Sequence, residues 1–174
     1  MIAIAYHVDY WDNLGWRDPF SAKEWTQRQM EYVRTLKLPS SYTPQIVVDG
    51  TRQMVGSNAV AVRTAIGAAE REERNAPAMR LTTENGSAVV ITNAPRAGLQ
   101  LLVIALSDEQ TTKIQRGENA GLTLANANIA RKLVRIQNVA AGPHTYRVPI
   151  AGEKLVAILQ DPATMRIVCA TTNP

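Results

Sequence analysis

Apolar residues recur along this chain with two different periods, and the change from one to the other organises the molecule. Ile2 to Val8 is a short apolar run that reads as a buried strand rather than a secretory leader, since it lacks basic residues and is cut off by His7 and Asp9. It starts with no lead-in, as if a segment upstream were absent. A polar and aromatic loop, Asp9 to Phe20, follows with Gly15 and Pro19 as punctuation. Ser21 and Glu24 then have the spacing of a capping box, and Trp25, Gln29, Tyr32, Val33 and Leu36 share one face at helical spacing until Leu38-Pro39. Pro44 stands before Gln45-Ile46-Val47-Val48, a β-branched run closed by the turn signal Asp49-Gly50, and Gln53 to Gly56 reads as its partner. Proline at that place suits a strand entrance and a cis Thr43-Pro44 bond. Ser57 or Asn58 can cap a second helix, whose apolar positions are Val60, Val62, Ile66 and Ala69.

Beyond Ala76-Pro77 the period changes to two. A hairpin is predicted around Asn85-Gly86, and further strands over residues 99–107, 111–115, 132–139, 145–150, 154–160 and 166–171. The segment from Arg116 to Leu133 reads as a loop with a brief helical turn. Short strands at near-regular spacing predict an antiparallel sandwich. The expected division is therefore a first domain over 1–76 and an all-β domain over 77–174.

Composition narrows the function classes. Apolar residues make up 45% of the 174, as a folded chain requires. The 19 basic and 15 acidic residues leave a net charge of +4, and the densest basic set (Lys113, Arg116, Arg131, Lys132, Arg135) is interrupted by apolar positions. With aromatics at 5%, this is a solvated basic face rather than a nucleic-acid stripe. No apolar run reaches the roughly twenty residues that span a membrane, so no membrane partner is expected. Cys169 is the one cysteine, which excludes an internal disulfide, a Cys-x-x-Cys pair and a thiolate zinc site. No phosphate loop, nucleophile elbow or dinucleotide fingerprint occurs, and no cofactor is expected.

Three separated motifs, AYHVDYWDNLGWRDPFS, YTPQIVVDG with VGS, and RGENAG, resemble an uncharacterised thioredoxin-like family, a domain of unknown function whose members often carry export signals. The likeness runs over nearly the whole chain. It implies an α+β fold, namely a truncated thioredoxin-like α/β domain followed by an antiparallel β-sandwich-like domain. Members of that family begin with a strand leading into a Cys-x-x-Cys at a helix start, and these 174 residues hold neither. A dithiol cycle needs a low-pKa thiolate and a resolving partner close by, so no dithiol oxidoreductase activity is expected of this chain. The resemblance also implies open strand edges flanking the missing strand, where two copies can pair as a homodimer, and a periplasmic or secreted location.

Two functions remain open at this stage. One is membership of a thiol–disulfide handling protein whose redox half lies elsewhere; the other is a non-catalytic peptide- or protein-binding module. For the second, the resemblance places Thr43 and Pro44 in a proline loop that receives an extended peptide, although a rigid strand entrance would use the same residues. Asp9, Tyr10, Trp11 and Trp16 form an acidic and aromatic cluster that can face a ligand or simply close the core. His7, Asp9 and Asp12 could suggest a metal, but hydrogen bonds ordering the loop explain them better, and no metal is assigned. Arg116, Gly117, Glu118 and Asn119 match a family motif and can equally brace an interface.

Overall fold

The computed structural model of the chain describes residues 1–72, 76–116 and 120–174. Strands dominate it. The order is α1 (Lys23–Thr35), β1 (Gln45–Val48), β2 (Arg52–Val55), α2 (Ala59–Glu72), β3 (Met79–Glu84), β4 (Ser87–Ala94), β5 (Leu99–Ser107), β6 (Gln110–Lys113), β7 (Thr123–Asn126), β8 (Ile129–Val139), β9 (Gly142–Val148), β10 (Lys154–Gln160) and β11 (Ile167–Thr172). Two antiparallel sheets carry the core, one ordered β11-β10-β5-β8 and the other β3-β4-β9, while β1-β2 and β6-β7 are separate hairpins.

The two larger sheets pack face to face. Leu101, Val103 and Ala105 of β5 and Leu155, Ala157 and Leu159 of β10 meet Leu81, Ala88, Val90 and Val148 from the facing sheet. Side chains alternate along a strand, so the intervening residues of β5 and β10 point the other way. Leu102, Ile104 and Leu106, with Val156 and Ile158, form a second core whose centre is Trp25 of α1, only 2% exposed. Ile4 and Tyr6 pack against the same cluster. The four-stranded sheet is thus covered on both faces, by the second sheet and by α1. That explains why β5 is apolar at nearly every position.

This arrangement corrects the expected fold class. Among the described residues there is no thioredoxin-like α/β layer ahead of the sandwich: β1 pairs only with β2, antiparallel, and α1 lies on the β-sheet of the later residues. Trp25 does not share a core with Ile46 and Val47 but joins Leu102, Ile104 and Val156. Ile2 to Val8 forms no strand. Its sole ladder contact among the described residues is a parallel bridge from Ala5 to Ile129, with Ala5 N–H donating to the Asn128 carbonyl at 2.9 Å.

Local corrections have local causes. The capping box does not form, because Ser21 Oγ donates instead to Asp12 Oδ2 at 2.6 Å and the helix starts after Ala22 with no side-chain cap. Asn58, not Ser57, caps α2, accepting from Ala61 N–H at 3.1 Å. Ala65 and Ala69 are the buried residues of α2, while Val60 stands in solvent. Part of the predicted 116–133 loop is β7, pairing with β6 from Gln110↔Asn126 to Lys113↔Thr123.

Candidate functional site

The loop from Asp9 to Ala22 is ordered by its own carboxylates. Asp12 accepts from Asp18 N–H (3.2 Å) and Ser21 Oγ (2.6 Å), and Asp18 Oδ1 accepts from Phe20 N–H at 2.9 Å. His7 Nδ1 lies 2.6 Å from Asp18 Oδ2. Burial of the Asp18 carboxyl works against its charge, yet the hydrogen bonds from His7 and Phe20 N–H prevail and hold its pKa below the ordinary value. Asp9 takes no part in that set. Its N–H donates to Thr26 Oγ1 at 3.1 Å, and the same hydroxyl donates back to Asp9 Oδ1 at 2.5 Å, fastening the loop to the first turns of α1. Among the described residues no group of three or more His, Cys, Asp or Glu side chains is arranged to hold a metal ion.

The next two residues bridge to the proline loop. Tyr10 OH donates to Gln29 Oε1 at 3.1 Å, and Gln29 Nε2 donates to the Tyr42 carbonyl (2.8 Å) and to Gln45 Oε1 (3.0 Å). Trp11 Nε1 donates to Thr43 Oγ1 at 3.1 Å, with the Tyr10 and Trp11 rings 5.3 Å apart. The Thr43-Pro44 bond is cis. The Pro44 carbonyl accepts from Gly56 N–H at 2.8 Å, and a Cβ on Gly56 would come within 3.1 Å of the proline ring. Tyr42 OH is hydrogen-bonded to Gln53, tying the approach of the loop to β2.

Of the sequence-predicted residues, the structure brings Tyr10, Trp11, Thr43 and Pro44 onto one surface, with Asp9 beneath as the anchor to α1. Trp11 is 52% exposed, and Thr43 and Pro44 are exposed beside it. Trp16 is half-buried and makes no hydrogen bond in this set. Arg116 is exposed at a bend far along the chain, and Gly117, Glu118 and Asn119 lie outside the described residues. Sequence reasoning missed Gln29, which links the aromatic loop to the proline loop, and its partners Tyr42 and Gln45. A glutamine on the same stripe as Trp25 and Tyr32 was the available signal, because a polar residue buried on an apolar face needs partners.

The edge beside this surface is open. Gly56 donating to Pro44 makes residues 44 and 56 a hydrogen-bonded pair, so Ile46 and Val48 also face β2. Gln45 and Val47 therefore turn their backbone N–H and C=O groups away from β2, and among the described residues these groups have no backbone partner.

The fold and this surface define a β-rich, two-sheet protein with a helix over one sheet and an exposed aromatic and proline-loop face. The chain belongs to the family described as protein of unknown function (DUF1223), whose profile matches residues 1–160. Among solved structures it is similar to the X-ray crystal structure of protein AGR_C_4864 from Agrobacterium tumefaciens, a structural genomics target. The two are 23% identical with a TM-score of 0.80, and the match covers 97% of this chain and 78% of that one, which shows a shared fold. No curated protein matches the chain.

Proposed function

We propose that this chain is a non-catalytic binding module that holds an extended peptide segment of a partner protein along β1, beside Pro44, with Trp11 as the anchoring side chain. The observation that carries the reading is the Trp11 Nε1 to Thr43 Oγ1 bond, which fixes a half-exposed indole next to the proline loop and the open edge of β1. A strand edge with free N–H and C=O groups binds extended backbone whatever its sequence, and flanking pockets or aromatics then supply selectivity. Tyr10, held by Gln29, supports Trp11 from behind, so little side-chain freedom is lost when a peptide docks. Asp9 positions the loop and does not contact the peptide. The thiol–disulfide reading gains nothing from Cys169, which is buried on β11 with its thiol pushed up to about 11 by that burial.

The test is selection of displayed random peptides on the wild-type chain, followed by affinity measurement on Trp11→Ala and Thr43→Val. Enriched peptides are expected to lose at least about ten-fold in affinity to Trp11→Ala, as an interface anchor does. Thr43→Val, which removes the acceptor for the indole but not the indole, is expected to lose less. Failure to enrich any peptide, or full affinity in Trp11→Ala, overturns the reading.

A further inference from the structure

Two turns of this chain place an acidic or amide residue at positive φ directly before a glycine: Asp49-Gly50, with φ of +48° and +77°, and Asn85-Gly86, with +49° and +73°. Asn85-Gly86 is the one Asn-Gly pair in the sequence. Asn128 and Asn138 also take positive φ, but they are followed by Ile129 and Val139, both β-branched and 0% exposed. Joining an asparagine Cγ to the next main-chain nitrogen closes a five-membered ring. A following side chain crowds that approach, and glycine leaves it open.

The surroundings separate the two turns. Ring closure rotates the peptide plane between the two residues and swings the carbonyl of the first. At Asp49 that carbonyl accepts from Ile167 N–H at 2.9 Å, and Gly50 is buried so close to the Met165 carbonyl that a Cβ would lie 1.8 Å from its oxygen. At the other turn neither the Asn85 carbonyl nor the Gly86 N–H makes a backbone hydrogen bond among the described residues. Both residues are exposed, and a Cβ on Gly86 would meet nothing within 4 Å. The ladder ends at Glu84↔Ser87, so this plane can turn without carrying a paired residue with it.

From this contrast we infer that Asn85-Gly86 is a self-modification site, at which the chain deamidates through a succinimide and acquires an isoaspartate. The Gly86 nitrogen gives up its proton and attacks Asn85 Cγ. The new N–Cγ bond closes the ring as the Cγ–Nδ2 bond breaks, and ammonia leaves with that proton. Water then opens the ring. Breaking the N–Cγ bond gives aspartate in an ordinary main chain, whereas breaking the bond from nitrogen to the Asn85 carbonyl carbon gives isoaspartate, with the main chain running through Cβ and Cγ. Nothing is oxidised or reduced, and water is the sole co-reactant. Neither β1 nor Trp11 takes part.

Either product adds a negative charge beside Glu84, whose carboxylate accepts from Arg147 Nη2 at 2.9 Å across β4. Isoaspartate also lengthens a two-residue turn by one main-chain carbon. Turn length sets hairpin register, so the longer turn works against the pairs Glu84↔Ser87 and Thr83↔Ala88 in the β3-β4-β9 sheet. The β11-β10-β5-β8 sheet shares no ladder with that hairpin and keeps its pairing.

The experiment incubates the full chain at neutral and at mildly alkaline pH, folded and in urea, and locates isoaspartate by peptide mapping with an isoaspartate-specific methyltransferase. In the folded chain residue 85 is expected to convert first, and faster at the higher pH, because the attacking nitrogen must lose its proton. Gly86→Ala is expected to slow the conversion at least about ten-fold, equivalent to about 1.4 kcal/mol of added barrier. Asn85→Gly suits the turn and has no amide to lose, so the signal should vanish there. The purified isoaspartate form is expected to exchange the β3–β4 amides nearest the turn faster than Asn85→Asp, which carries the charge without the extra carbon. A folded chain still intact at residue 85 when the urea sample has converted, or no conversion in either, overturns the inference. So does isoaspartate forming as fast at Asp49, an unchanged rate in Gly86→Ala, or a signal that persists in Asn85→Gly. Equal amide exchange in the isoaspartate form and Asn85→Asp overturns the effect on register.

Discussion

Gly50→Ala is the substitution from which the largest response is expected for the smallest chemical change. Asp49 and Gly50 form a turn with φ of +48° and +77°, and Asn85 and Gly86 form the same kind of turn with +49° and +73°. A methyl group at either glycine meets the left-handed penalty of about 1 kcal/mol and removes the same freedom from the unfolded chain. The surroundings differ. A Cβ at Gly86 has nothing within 4 Å, while one at Gly50 would lie 1.8 Å from the Met165 carbonyl oxygen and 2.7 Å from its carbon. Backbone lies on both sides of that contact, so the β1-β2 turn and the segment before β11 must separate. Separation breaks the bond from Ile167 N–H to the Asp49 carbonyl (2.9 Å) and displaces the acceptor of Gln160 Nε2. Leaving one buried partner unmet adds roughly 2 kcal/mol, so Gly50→Ala is expected to destabilise by about 3 kcal/mol and Gly86→Ala by about 1. Equilibrium urea unfolding measures both, and amide exchange at Ile167 reports the loss locally. If the two variants agree to within about 0.5 kcal/mol, the docking of the turn on the Met165 segment is wrong.

Two further expectations concern titration. Burial raises the Cys169 thiol to about 11, so at pH 8 its reaction with an aromatic disulfide reagent should run about a hundred-fold slower than that of free cysteine; a rate within ten-fold of free cysteine refutes this. The folded pKa of Asp18 is depressed, so its contribution to stability is present above the unfolded value near 3.9 and is lost as the pH falls through the lower folded value. Asp18→Asn should therefore flatten the acid limb of the stability profile below about pH 4.5, and an unchanged limb by urea midpoints in that variant counts against the His7–Asp18 pair.

Much of the later half is legible from alternation and turn chemistry. Asn85-Gly86 names its hairpin because both residues tolerate positive φ, and the β3–β4 register follows from it, with Glu84↔Ser87 closing the turn. Pairing between distant strands is less legible. Nothing local tells β8 to pair with β5 rather than with its sequence neighbour β9, or β9 to cross to β4. The candidate surface divides in the same way. Exposed Trp11 and the Thr43-Pro44 pair are visible as residue types, but the hydrogen bond joining them spans 32 positions and depends on Gln29 holding two loops together.

The misplacement of α1 has a physical source in the sequence itself. Its stripe carries Trp25, Arg28 and Tyr32 at spacings of three and four, which is compatible with packing on any apolar sheet. The expected first domain over 1–76 grouped it with the nearby Gln45–Val48 run. Yet β5, Leu99-Gln100-Leu101-Leu102-Val103-Ile104-Ala105-Leu106, has no solvent face, and a strand of a two-sheet sandwich alternates unless a third layer covers its outside. Burying both rows of β5 needs an apolar partner of helical length, and α1 places its Trp25 on that outer row. The two glutamines mark where the apolar match ends: Gln100 opposite Gln160 is a polar cross-strand pair in the row that Arg28 and Tyr32 cover. The continuous hydrophobicity of one strand, together with a single glutamine in it, thus specifies both where the helix docks and where beneath it the buried contacts turn polar.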